Sequence, residues 1–450
     1  MNSRKIKSTR IKSGEKPAWT AKCSLYIFYG LLAYMPLHIF ISTWLGTSFD
    51  VLVFAKILKD IVAVLGFLLA LVAASKEPWL RGFAKSKFVW AILLYTLWTL
   101  ILVIFRQTDQ DAEILGVVFN IRFLMFFLYG LILARLFNVN EIRRQAVKIV
   151  VVVGAIVVSF GILQYAVLPD DALTHLGYRR ANGVLPAFFI DDKPDLERVM
   201  STIRDPNSLG SYLIILAPLV TAGLFIMKYA RDRWPPALML AAIILCTFLT
   251  FSRGAWIGLV ATMITFFFLT DSPLKIEMLK RRHVIIPAFL GTLVVLAGLL
   301  FAFRNTYIVQ NVVLHADEST VLEDPNEIRV REWGESVDNI SENPIGHGPG
   351  TAGLASIRND LQGTELNENY YFQIAYETGL IGLGLFLAIL LATGRRLFDM
   401  RHDSYVATAL LAAFVGLAIT NFLVHIWSNE AVAYTWWGLA ALTIASRRKV

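Results

Sequence analysis

Runs of roughly twenty consecutive apolar residues recur along this chain, separated by short basic stretches, and that pattern leaves few ways to fold. A hydrocarbon core about 30 Å thick takes about 20 residues of helix to cross. Lipid offers backbone N–H and C=O groups no water, so each such run is expected to be a helix that satisfies its own backbone. About twelve runs meet the length: 24–44, 51–74, 88–105, 113–137, 146–168, 208–229, 236–252, 254–270, 284–303, 370–393, 405–424 and 430–446. With 56% hydrophobic and 17% charged residues in 450, the composition excludes an ordinary soluble domain. The expected class is an all-α polytopic integral membrane protein with a large extracytoplasmic loop.

The formal charge of +8 falls in short clusters between the apolar runs, as orientation signals do, and not in a nucleic-acid-binding patch. Basic residues such as Lys76, Arg81, Lys85 and Lys87, then Arg143, Arg144 and Lys148, then Arg395, Arg396 and Arg401, mark alternate connections as cytoplasmic. The stretch 236–270 is basic on both flanks and therefore crosses twice, turning at Ser252-Arg253-Gly254. Both termini are then expected in the cytoplasm, and the connections 169–207 and 304–369 outside. The chain divides into a basic tail (1–23), nine spans (24–303, with the outer loop 169–207), an extracytoplasmic loop domain (304–369), and three spans with a basic tail (370–450). Cys23 and Cys246 lie beside or inside apolar runs, which indicates neither a disulfide framework nor a metal site.

Arginines on the outward side are not needed for orientation. Arg198 and Arg204 lie in "ERVMSTIRDPNSLGSYL", Arg253 in "TFSRGAWIGL", Arg329 and Arg331 in "NEIRVREWGES", and Arg122 some way into the fourth run. A guanidinium keeps its charge and offers a fork of donors matched to phosphate oxygens, so a converging set suits a diphosphate. Each is also readable as an interfacial side chain reaching for headgroups. Asp205-Pro206-Asn207 reads as a helix start. "NPIGHGPG" is readable as a phosphate cradle or as turn chemistry, with His347 as a loop residue or a catalyst. Asp170-Asp171 and Asp191-Asp192 are weak metal candidates, and no metal is expected. "GLIGLGLF" has glycines spaced for close helix packing. The carboxylates and amides of "GTELNENYYF", above all Glu368 and Asn369, sit where a loop runs into the tenth run.

Taken in order, "RVMSTIRDPN", "SRGAWIGL", "IRVREWGESVDNISENPIGHGPG" and "NENYYFQIAYETGLIGL" resemble the O-antigen ligase and polysaccharide polymerase superfamily over about residues 195 to 385. The resemblance implies a GT-C-like bacterial inner-membrane glycosyltransferase, inversion at the anomeric carbon, and no cofactor or nucleotide sugar. It moves a preassembled glycan from an undecaprenyl-diphosphate carrier to an acceptor hydroxyl on a glycan, lipid or protein. Carried over, Arg198, Asn207, Arg253 and Arg329 match motif positions, and Asn369 matches the asparagine of a His-Asn pair. Glu368 stands where that pair has histidine. The expected assignment is Glu368 and Arg253 as catalytic, with Arg198, Arg329, Arg204, Asn207, Asn369 and Arg122 as substrate-binding. The rival class is a transporter or flippase for a lipid-linked glycan. Such proteins tend to carry repeated halves and midplane charges, and neither stands out here.

Overall fold

The computed structural model describes residues 18–105, 109–190, 193–227, 229–271, 325–357 and 368–446. Its helices are α1 (Trp19–Tyr34), α2 (His38–Ser48), α3 (Leu52–Ala74), α4 (Leu80–Ala84), α5 (Lys87–Phe105), α6 (Gln110–Leu136) and α7 (Val139–Ala166). After a short hairpin of β1 (Phe188–Ile190) and β2 (Lys193–Arg198) come α8 (Pro206–Ile226), α9 (Trp234–Leu249) and α10 (Arg253–Leu269). Then follow α11 (Pro325–Glu342), α12 (Gly353–Ser356), α13 (Tyr370–Asp399), α14 (Tyr405–Thr420) and α15 (Glu430–Ile444). Among the described residues seven helical stretches are long and apolar enough to cross a bilayer, the first being α1 and α2 joined through a 3-10 turn. The protein is therefore a mostly helical, polytopic membrane protein. The expected run 284–303 lies outside the described residues, and those at 236–252, 254–270, 405–424 and 430–446 form shorter helices of 16, 17, 16 and 15 residues.

Helix α3 shows what solvent the outer helices are built for. Its large residues Val53, Phe54, Ile61, Leu68 and Val72 are exposed, while Ala63, Gly66, Ala70 and Ala74 face inward. Large apolar groups on the outside and small ones inside is the packing expected where lipid replaces water. The interior is built on α6, α8 and α15, where Phe126 stacks on Phe28 at 4.6 Å and Trp436 meets Trp437 edge-on at 4.9 Å.

Helices α10 and α14 approach backbone to backbone. A Cβ on Gly416 would lie 2.4 Å from the Gly258 carbonyl oxygen, and one on Gly258 would lie 2.3 Å from Thr420 Oγ1. Thr420 Oγ1 donates to the carbonyls of Gly254 and Gly416, closing the same seam with hydrogen bonds. The glycines of "GAWIG" are thus a packing face, and Arg253 is the first residue of the helix that carries it. Between α7 and α8 the chain forms the hairpin, with Phe188 opposite Arg198 and Phe189 opposite Glu197. That hairpin has no counterpart among the sequence expectations.

Gly258→Leu is expected to force α10 and α14 apart and to destabilise the protein by about 1–3 kcal/mol, the usual cost of overpacking. A lower melting midpoint in lipid nanodiscs checks this, and an unchanged midpoint contradicts the close approach.

Candidate functional site

Arg198 ends β2, and its surroundings are fixed by hydrogen bonds to two other segments. Its Nε donates to the Thr250 carbonyl at 3.0 Å, between α9 and α10, and its Nη2 donates to Asn207 Oδ1 at 2.9 Å, in the first turn of α8. Asp205 caps α8, accepting from Ser208 N at 2.8 Å, so "DPN" is a helix start that also presents Asn207 to the arginine. Burial lowers the Arg198 pKa, with Arg253 adding to that effect and Asp205 and Glu368 opposing it. Arg253 and Glu368 are therefore within electrostatic reach of Arg198. Glu368 in turn forms an ion pair with Arg329 of α11. Four segments far apart in sequence thus bring Arg198, Arg253, Arg329, Asn207 and Glu368 to one region.

The remaining expected residues are placed differently. Asn369 is the N-cap of α13, its Oδ1 accepting from Tyr371 N at 2.9 Å. Arg204 is half-buried and makes no hydrogen bond or ion pair to a described residue. Arg331 is exposed and lies 3.9 Å from Glu335 on its own helix. Arg122 is buried in a separate charge network. It reaches Glu430 at 3.1 Å, the Ser428 carbonyl and Asp60 at 4.0 Å, while Lys59 reaches Asp60 at 3.0 Å and Glu430 at 3.4 Å. Two cations and two carboxylates from α3, α6 and α15 balance one another in charge there, as charges in a low-dielectric interior must.

The glycine loop between α11 and α13 is turn chemistry, because its donors are used on helix ends. Helix α13 is broken at Gly379, whose φ of 66° and ψ of −176° leave the helix. The break strands carbonyls that a continuous helix would bond. His347 N donates to the Tyr376 carbonyl at 2.8 Å, Gly348 N to that of Glu377 at 2.9 Å, and Trp98 Nε1 to that of Thr378 at 2.7 Å. On the other side of the break, Leu380 N donates to the Pro344 carbonyl at 2.9 Å. His347 lies flat on Tyr376 with ring centroids 4.0 Å apart. At Gly350, with φ 86°, a Cβ would meet the Ala112 carbonyl oxygen of α6 at 2.2 Å, so the loop is wedged directly against that helix.

Glu377 locks this wedge. Its side chain is 0% exposed. It accepts from Asn120 Nδ2 of α6 at 2.7 Å, from Gly350 N at 3.0 Å, and from Ala352 N and the Gln373 side chain. No sequence expectation included it, although a carboxylate seven residues into an apolar run was a legible signal of cost. A second buried carboxylate, Glu197, accepts from Gln164 Nε2 at 3.1 Å, and Gln164 Oε1 accepts from Ser201 N at 2.8 Å. This pair ties the segment around Arg198 to α7. Burial, with a contribution from Asp170, raises the Glu197 carboxyl to about 7 against the Gln164 hydrogen bond.

Two outcomes are expected. Glu377→Gln can rotate its amide and those of Asn120 and Gln373, whose Oδ1 and Oε1 have no partner among the described residues, and so should melt close to wild type. Glu377→Leu strands the Asn120 and Gly350 donors at about 1–3 kcal/mol each and should melt well below it. For Glu197, the folded state holds a proton above the ordinary carboxyl value of 4.5, so stability is full below 4.5 and is lost as pH rises toward and through about 7. Melting curves across that window should slope downward for wild type and flatten in Glu197→Gln.

No curated protein matches the chain at a significant level. Residues 237–387 match the family model described as O-antigen ligase. The part of this membrane protein that carries Arg253, Arg329, Glu368 and the Glu377 wedge is thus the part that is similar to the O-antigen ligase family.

Proposed function

We propose that the protein transfers a preassembled glycan from an undecaprenyl-diphosphate carrier to an acceptor hydroxyl on the extracytoplasmic face of the bacterial inner membrane. The observation that carries this reading is the gathering of Arg198, Arg253 and the Glu368–Arg329 pair from four separate segments. Arg198 and Arg253 face the diphosphate. The acceptor oxygen attacks the anomeric carbon, its proton passes to the Glu368 carboxylate, and the bond from that carbon to the diphosphate oxygen breaks. Negative charge builds on the departing diphosphate, where two guanidiniums held in place beforehand stabilise it more than they do the ground state. Attack opposite the leaving group inverts the anomeric centre. Both termini are cytoplasmic in this reading, and the donor enters sideways from the bilayer.

Purified protein in lipid nanodiscs, given an undecaprenyl-diphosphate oligosaccharide with a glycan acceptor, should release free undecaprenyl diphosphate as the linkage forms. Loss of a general base costs about 10²–10⁴-fold in rate, so Glu368→Gln should fall by that order while still binding the donor. A variant of undiminished rate removes Glu368 from the chemistry. Movement of the glycan lipid across proteoliposomes without bond cleavage would identify a flippase.

A further inference from the structure

Where α11 meets the start of α13, three buried N–H groups have no acceptor among the described residues: Arg329 Nε, Trp333 Nε1 and Asn369 Nδ2. Two contacts bring them together. Arg329 pairs with Glu368, the neighbour of Asn369, and the Trp333 ring meets Phe372 of the first turn of α13 edge-on, centroids 6.1 Å apart. Arg329 and Trp333 are four residues apart on one helix and so share a face. Buried donors are nearly always bonded in proteins, so three orphans at one junction call for an oxygen-bearing partner.

The charge around the junction decides which oxygens. Glu332, Glu335 and Glu368 are coupled here to only two cations, Arg329 and Arg331, three negative charges against two positive. Burial and the proximity of Glu368 raise the Glu332 pKa, the response of a carboxyl in an already negative setting. A diphosphate is repelled there. On the other side, Arg198 is coupled to Arg253, to Asp205, whose carboxylate is engaged by Ser208 N and Ser208 Oγ, and to the same Glu368, so with Glu368 counted on both sides or on neither this side is the more positive by one charge. The anion belongs with those arginines. An uncharged ring with several hydroxyl oxygens, set against an indole, suits the junction.

We infer that the junction of α11 and α13 is a subsite for an uncharged sugar of the acceptor, whose oxygens accept from Arg329 Nε, Trp333 Nε1 and Asn369 Nδ2. The inference rests on the transfer reading above and makes the acceptor a carbohydrate, presented to Glu368 from the side opposite the donor diphosphate. Trp333 is a binding residue here that contributes one hydrogen bond and a ring face.

Thermal unfolding of the full-length protein in nanodiscs tests it, using methyl glycosides of a neutral hexose, an N-acetylhexosamine and a hexuronic acid, and separately undecaprenyl diphosphate. At least one neutral glycoside should raise the wild-type midpoint, and the hexuronide should not. Trp333→Phe keeps the ring contact with Phe372 and loses the N–H. It should weaken glycoside binding by about 3- to 10-fold, the worth of one hydrogen bond, and keep its stabilisation by undecaprenyl diphosphate. Arg198→Ala should show the reverse. The inference is overturned if Trp333→Phe keeps its full glycoside response, if the hexuronide protects as well as the neutral sugars, or if no neutral glycoside shifts the wild type. Glycosides behaving as expected while undecaprenyl diphosphate stabilises neither protein would leave the sugar subsite standing and overturn the donor assignment instead.

Discussion

The Glu377 carboxylate is the interaction through which the region around α11 and α13 is assembled. A helix that breaks in the middle of an apolar run exposes carbonyls on one side of the break and N–H groups on the other, and lipid can satisfy neither. Here the glycine loop fills the break, and Glu377 holds that loop against α6 through Asn120 and Gly350. The arrangement links the helix that carries Arg329 to the one that begins beside Glu368. Because the loop is threaded by its backbone, its glycines are fixed by space and conformation and offer no N–H groups to a phosphate at His347, Gly348 or Gly350.

Electrostatics divides the candidate site into two halves. The Arg198 half is positive and is tied to α7, α8 and the α9–α10 turn by hydrogen bonds from its own fork and from the Gln164–Glu197 pair. The Arg329 half is slightly negative and meets the loop that Glu377 locks. Glu368 belongs to both, being coupled to Arg198 and paired with Arg329. Its side chain is 51% exposed, a solvated carboxylate between two guanidiniums.

Much of the architecture could be read from the chain because lipid imposes length and apolarity on each run, and α3 or α8 could hardly be anything but helices. The division of 236–270 followed from charge on its flanks, and the structure has two helices there, with Ser252 capping the second. The arginines stood out because each lacked a reason to be where it was. Other features were hidden for physical reasons. Hydropathy averaged over a run conceals one carboxylate, so Glu377 passed unnoticed. The hairpin at 188–198 is too short for an alternating pattern. Arg122 was visible as a costly charge, but its partner Glu430 is 308 residues away, a pairing that only the folded chain creates. It was therefore grouped with the other arginines, whereas its contacts are with Asp60, Ser428 and Glu430.

That quartet of Lys59, Asp60, Arg122 and Glu430 has a bearing on how the protein responds to the voltage it lives in. A transmembrane potential does about 2.3 kcal/mol of work per unit charge per 100 mV on charge that moves through it. Two cations and two anions locked within 3.0 to 4.0 Å carry no net charge as a group, so a shift of α3, α6 and α15 together draws almost no energy from the field. The quartet is electrically silent as a unit, so it can hold three helices together without making their packing depend on the potential.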